Sequence, residues 1–234
     1  MKQSDKSGEK HLNIGSKFRD FILGCQDGLV NVLGIVLGIV AATSSTKIVL
    51  ISGLAATFAE SISMAAVAFT SMKASKDFYN SERKRETTET KECPDKEREE
   101  LRKIYFKKGF RGKLLDDVIK KITSNKKIWV DVMMEEELKL FPEKMTPRQE
   151  AIIVGLSALV GSIIPLIPFM LFAVNTAVIY SLIISTIALF LIGVVKSKLA
   201  VGNLFKSGIE MAIIGMLAAL TGYLIGLVLG VTIS

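Results

Sequence analysis

The sequence predicts an all-α, polytopic membrane protein with five transmembrane helices and one charged helical domain inserted between the second and third. Three observations carry that expectation. Half of the 234 residues are hydrophobic while 23% are charged, so one ordinary soluble core cannot hold both characters. The apolar residues gather in five runs, at 21–42, 48–72, 151–172, 177–195 and 209–233, each about 19 to 25 residues and long enough to cross ~30 Å of hydrocarbon as a helix. Most of the charge gathers in a single block between the second and third runs.

Residues 1–17 are polar and lysine-rich and are expected to form a tail. No short apolar stretch with a small-residue cleavage site precedes Phe21, so the first helix itself is expected to direct insertion. Lys2, Lys6, Lys10, Lys17 and Arg19 at the N-terminus, the charged block, and Lys196, Lys198 and Lys206 all fall on one side of a five-helix topology. The positive-inside rule makes that side cytosolic and puts the two termini on opposite faces. The net charge of +7 is then accounted for by topology, and with no recognition signature nucleic acid is not expected as a partner. Cys25 and Cys93 are too few and too far apart for a disulfide framework.

Transmembrane helices 1 and 2 occupy 18–72, the charged block 73–147, and transmembrane helices 3 to 5 occupy 148–234. Within the block, mixed charges with apolar residues at helical spacing predict a folded domain. A first helix continues from the second membrane helix towards Cys93. Pro94 can open a second, running to about Lys107, with Gly109 where a C-terminal cap belongs. Two shorter helices are expected at 113–123 and 128–140, closed by Pro142 and Pro147. Trp129, Ile104, Tyr105, Leu115 and Val118 are the expected core. Glycines 28, 34 and 38 in the first membrane helix and 208, 215, 222, 226 and 230 in the last allow close helix approach, either within the bundle or across a homodimer contact. Pro165 and Pro168 should kink the third helix, which lipid tolerates only where the freed carbonyls find partners.

Carboxylates within membrane helices cost several kcal/mol on insertion scales, so Asp27, Glu60 and Glu210 require a reason. Asp27 lies about two turns inside the first helix; Glu60 is near the middle of the second, and Met64 follows it by one turn, at a depth similar to that of Asp27. Oxygen with thioether suits a borderline divalent cation better than calcium or magnesium. The alternative for Asp27 is an interfacial cap or an ion pair with Arg19, and Glu210 is close enough to the boundary to snorkel. In the charged block, Glu86, Glu89, Glu97 and Glu100 project within about an 80° sector if the helix runs nearly continuously past Pro94, with Glu82 and Cys93 in the same sector. Such a stripe is unfavourable unless cations or lysines neutralise it. Met133, Met134, Glu135, Glu136 and Glu137 offer sulfur and carboxylate on one short helix, Met133 one turn before Glu137. The bland alternative for both groups is a solvated charged helix.

These stretches also carry a family resemblance. "DGLVNVLGIVLGIVAA" from Asp27 to Ala42 resembles the first-helix signature of the vacuolar iron transporter family. The likeness continues through "SISMAA" at Ser61, "EREELRKIYFKKGF" at Glu97, "VMMEEELKL" at Val132, "GSIIPLIPF" at Gly161 and the glycine-spaced last helix, so it spans nearly the whole chain from Phe21. The resemblance implies a five-helix homodimer that exchanges Fe2+ for protons, with a cytosolic three-helix metal-binding domain. It places the translocation aspartate on Asp27 and the second-helix methionine on Met64. Its cytosolic metal ligands fall on Glu86, Glu89, Glu97, Glu100, Met133 and Glu137. One departure is local: where many members have Gly-Glu after the Ser-Met pair, this chain has Val67 and Ala68, and Glu60 is the carboxylate expected to stand in.

The resulting expectation is a transporter, not an enzyme, that moves Fe2+ out of the cytosol against protons through Asp27, Glu60 and Met64. No organic cofactor is expected, and Mn2+, Co2+ or Zn2+ would fit the same ligands. The alternative is a membrane-anchored metal sensor or buffer. The host membrane is the plasma membrane if the chain is prokaryotic, a vacuole or other endomembrane if eukaryotic. A hydrolase is disfavoured because the sole histidine, His11, lies in the tail and no nucleophile–base pair is evident.

Overall fold

A computed structural model describes residues 8–43, 45–200 and 202–233. The described residues form nine α-helices and one 3-10 turn, with no strand among them. Five helices are long and apolar enough to cross a membrane, within Lys17–Thr43, Thr46–Glu92, Pro147–Leu171, Val174–Lys198 and Leu204–Gly230. The chain divides into two compact units, residues 1–70 with 145–234, and residues 71–144.

In the first unit α1 (Gly8–Thr43) is the central element, packed against α6 (Pro147–Ile163), α8 (Val174–Ala200) and α9 (Leu204–Ile233). Its glycines serve this packing inside the protomer. A Cβ on Gly226 would stand 1.9 Å from the Gly38 carbonyl oxygen, and one on Gly222 would stand 2.2 Å from that of Gly34. Only hydrogen at those positions lets the two backbones touch, which in lipid substitutes dispersion for the missing hydrophobic drive. The same holds towards α6, where a Cβ on Gly28 would meet the Ala158 carbonyl oxygen at 2.3 Å. Between these contacts the interior is closed by Val32, Val36, Val49, Leu166 and Phe169, all essentially inaccessible.

The kink expected at Pro165 and Pro168 is a 3-10 turn, Ile164–Leu166, between α6 and α7 (Ile167–Leu171). Pro165 cannot donate to Gly161, whose carbonyl accepts the Ile164 N–H instead; Ser181 of α8 donates to the Pro165 carbonyl at 2.8 Å. The Gly161 and Pro165 carbonyls thus find partners within the bundle, as lipid requires. α6 itself starts on a capping box: Thr146 accepts from the Gln149 N–H and Gln149 reaches back to the Thr146 N–H. α1 begins at Gly8, inside the stretch expected as a tail, so the backbone at His11 is helical, while the apolar span itself starts at Lys17; residues 1–7 lie outside the described residues.

The second unit comprises the end of α2 (Thr46–Glu92), α3 (Pro94–Lys107), α4 (Gly112–Thr123) and α5 (Lys126–Glu136). At 47 residues α2 is more than twice as long as a bilayer crossing of about 20 residues requires, and we take residues 48–70 as its apolar part. α3 opens on Pro94 and is followed by Gly109 at φ +100°, a conformation that glycine adopts without the usual Cβ penalty. Asn125 caps α5 by accepting from the Lys127 and Ile128 N–H groups. The core is Leu101, Leu115, Ile119, Ile122, Trp129 and Met133, with Tyr105 and Val118 against it; Ile104 is half-buried and stands outside that cluster. α5 ends four residues before the expected Leu140, because the Leu138 N–H turns back to the Met133 carbonyl and Lys139 takes φ +56°. A lysine in that left-handed conformation is costly and gives no signal in the sequence.

Candidate metal-binding and membrane carboxylate sites

Two acidic groupings emerge, one in each unit. In the second unit one carboxylate oxygen from each of Glu86, Glu97 and Glu137 lies within 4.8 Å of the others. Glu86 and Glu97 are 1% exposed, and one oxygen of each is fully enclosed with no hydrogen-bond partner. Buried carboxylate oxygens are ordinarily paired, so two orphans side by side are a ready coordination site: oxygens at this spacing can share one ion through bonds of about 2.0–2.6 Å.

This geometry corrects the expected single stripe. On one continuous helix, residues 11 apart would be separated by about 16 Å along the axis. Instead α2 ends at Glu92, Cys93 leaves helical geometry at φ −128°, ψ 53°, and α3 starts afresh at Pro94. The break brings Glu97, in the first turn of α3 where the helix dipole favours an anion, onto Glu86 of α2. Glu89 and Glu100 are half-buried beside them, Glu89 facing Arg85 at 3.7 Å and Glu100 facing Lys96 at 3.4 Å. Arg85 also reaches Glu82 at 2.9 Å and Glu86 at 4.0 Å. Met133 and Met134 are fully buried, Met133 in the apolar cluster with Trp129 and Leu101. Glu136 is drawn away to Lys108 and Lys139. Cys93 is exposed.

The electrostatics follow. Burial, then the charges of Glu137, Glu97 and Glu89, push the Glu86 carboxyl up to about 7. Glu97 is raised by burial and by Glu100 and Glu137, and Glu137 by loss of surrounding water and by Glu100 and Glu89. The Lys108 ammonium holds Glu136 below the usual carboxylate range. Burial and mutual repulsion thus outweigh Arg85 and Lys96 at Glu86, Glu97 and Glu137, whereas Glu136, at the end of α5, is compensated by Lys108.

In the first unit, Asn31 of α1 donates from Nδ2 to Glu60 Oε1 of α2 at 3.1 Å, and the Asp27 carboxyl group neighbours that of Glu60, near enough for the two to interact electrostatically. All three lie inside apolar helices. The antiparallel register set by the Asn31–Glu60 bond puts Asp27, one turn before Asn31 on α1, level with Met64, one turn after Glu60 on α2; Met64 is half-buried. Arg19 pairs with Asp20 at 3.0 Å, so the sequence alternative of an Arg19–Asp27 pair is not what forms. Glu210 is exposed near Asn203 and Lys206. Sequence reasoning missed Asn31 and the buried Asp20; Asn31 stands four residues after Asp27, on the same helix face, which is the one signal that could have found it.

Fold and sites together define an all-helical membrane protein of five long apolar helices, with one carboxylate pair inside them and an acidic cluster in a separate helical unit. The profile of the VIT family matches residues 18–227, and the chain belongs to that family. Among curated relatives it is 33% identical to a vacuolar iron transporter 1 of Arabidopsis thaliana over 94% of this chain and 88% of the plant protein. It is 32% identical to a vacuolar iron transporter 1 of Oryza sativa subsp. japonica, over 92% and 86%. Against the vacuolar iron transporter of Plasmodium falciparum (isolate 3D7) the identity is 32%, over 98% and 88%.

Proposed function

We propose that the chain is a divalent-metal transporter that moves Fe2+ out of the cytosol in exchange for protons, working as a homodimer in a vacuolar or comparable membrane. The observation that carries this reading is the Asp27–Glu60 pair within apolar helices, held by Asn31 and without a permanent cationic partner among the interactions described for it. An acid pair inside apolar helices is retained in lipid where a passing cation compensates it. Family membership and the names of the relatives support iron as the cargo. Mn2+ fits the same donors, since carboxylate and thioether ligands discriminate weakly and geometry does the selecting.

In this reading the Glu86–Glu97–Glu137 cluster is cytosolic and captures the metal, with Glu89 and Glu100 as flanking charge and Met133, one turn before Glu137, as the sulfur donor. Asp27, Glu60 and Met64 carry the ion across. Carboxylates bind metal only when deprotonated, so metal and proton compete for the same oxygens and one site can alternate between the two loads. A membrane-anchored sensor would need the cluster but has no use for the acid pair. The test is Asp27→Asn in proteoliposomes: Fe2+ uptake should fall to the level of empty vesicles, and undiminished uptake would remove Asp27 from the pathway.

A further inference from the structure

α1 places a second polar side chain one turn beyond Asp27, and the proposed translocation path through Asp27, Glu60 and Met64 assigns it no contact with the ion. Asn31 is exposed on the protomer and lines the groove between α1 and α9 with Gly34, Ile35, Gly38 and Ile39 of its own helix and Gly222 across it. Among the described residues lining that groove, Asn31 alone carries a polar side chain. An amide inside an apolar span is costly unless its groups are engaged, and here one N–H is: it meets Glu60 Oε1 at 3.1 Å.

We propose that Asn31 is a positioning residue for the intramembrane cation site, its amide N–H holding the Glu60 carboxylate against Asp27 so that both acids present oxygen to one ion. The inference rests on the transport reading and adds to it a residue that need not touch the metal. The geometry gives the reason. Glu60 sits on α2 and Asp27 on α1, and the Asn31 amide is the described donor that reaches Glu60 across the two helices. One Glu60 oxygen is committed to the amide, which leaves the other for the ion and favours a one-oxygen over a two-oxygen mode of binding. Asn31 cannot titrate, so it fixes Glu60 in either loading state without adding a charge of its own.

The test is concentration-dependent Fe2+ and Mn2+ uptake by the full chain in proteoliposomes. Asn31→Leu keeps the bulk and removes the donor. Loss of a hydrogen bond to a charged group should raise KM about tenfold while maximal flux stays within about twofold. Asn31→Gln retains the amide and should return KM to within about threefold of wild type. Asn31→Ala provides the same comparison as leucine should the leucine chain not assemble. An unchanged KM in both donor-less variants, or a loss of maximal flux that glutamine does not rescue, overturns the positioning role and leaves wild-type transport standing. Absence of metal flux in the wild-type chain is a different result and overturns the transport reading together with this one.

Discussion

Replacing Glu86 by glutamine should make the metal-free protein more stable at alkaline pH and less responsive to metal. The Glu86 carboxyl titrates at about 7 in the folded chain against an ordinary value of 4.5. Between those two values the folded protein binds more protons than the unfolded one, so stability falls as pH rises through that window and is lowest above it. The interval corresponds to at most about 3 kcal/mol at pH 8 for this one group. Burial, the largest cause, and the neighbouring Glu137 and Glu97 charges all act on the charged form, and glutamine removes that form while keeping the shape. The assay is built into the chain: Trp129 is the single tryptophan and lies 3% exposed in the core of this unit. Its fluorescence during unfolding of the full-length protein in detergent reports on that unit, at pH 5.5 and pH 8, with and without Mn2+. Wild type should lose stability between those pH values and Glu86→Gln should lose much less; Mn2+ at 100 times its Kd should stabilise wild type at pH 8 by about 2.7 kcal/mol and the variant far less. Identical pH slopes in the two proteins would refute the reasoning about burial and repulsion. Equal stabilisation by Mn2+ would show that the ion is held elsewhere.

Two further outcomes test the fold beneath the sites. Gly226→Leu would drive a side chain into the Gly38 backbone, where even a Cβ stands at 1.9 Å, so the yield of monodisperse protein in size-exclusion chromatography should collapse, whereas Gly15→Leu, with nothing within 4 Å, should leave it unchanged. Leu101→Ala empties a fully buried position in the second unit and should cost about 2–5 kcal/mol by Trp129 fluorescence, without altering the thermal transition of the membrane helices followed by circular dichroism.

Much of this architecture was legible because the signals are local. Long apolar runs mark the five candidate spans, Pro94 and Gly109 mark the ends of α3, and Asn125 marks the start of α5. What the sequence hid depends on how elements meet. The acidic residues of 86–100 have a helical phase that suggested one stripe, but phase says nothing of the break at Cys93, and the contact between Glu86 and Glu97 exists only because the chain turns there. Met133 reads as a ligand from its spacing to Glu137 yet is also required by the apolar core around Trp129. Asn31 is neutral and ordinary in sequence; its importance appears only when α1 and α2 are paired and Glu60 arrives opposite it. The α1 glycines were consistent with either a contact within the protomer or one between protomers, and the backbone distances to Gly222 and Gly226 put them to use within it.

Transport by this chain requires that the acids in its apolar helices be compensated by a moving ion. Its most direct measurement is simultaneous recording of Fe2+ entry and proton exit in sealed vesicles containing the purified chain, with a metal-quenched dye and a pH dye inside and an acid interior imposed at the start. The account predicts metal entry that begins only with the chain present, grows with the proton gradient and is matched by alkalinisation of the lumen. Saturable Fe2+ binding at the outer surface with no entry at any gradient would contradict it.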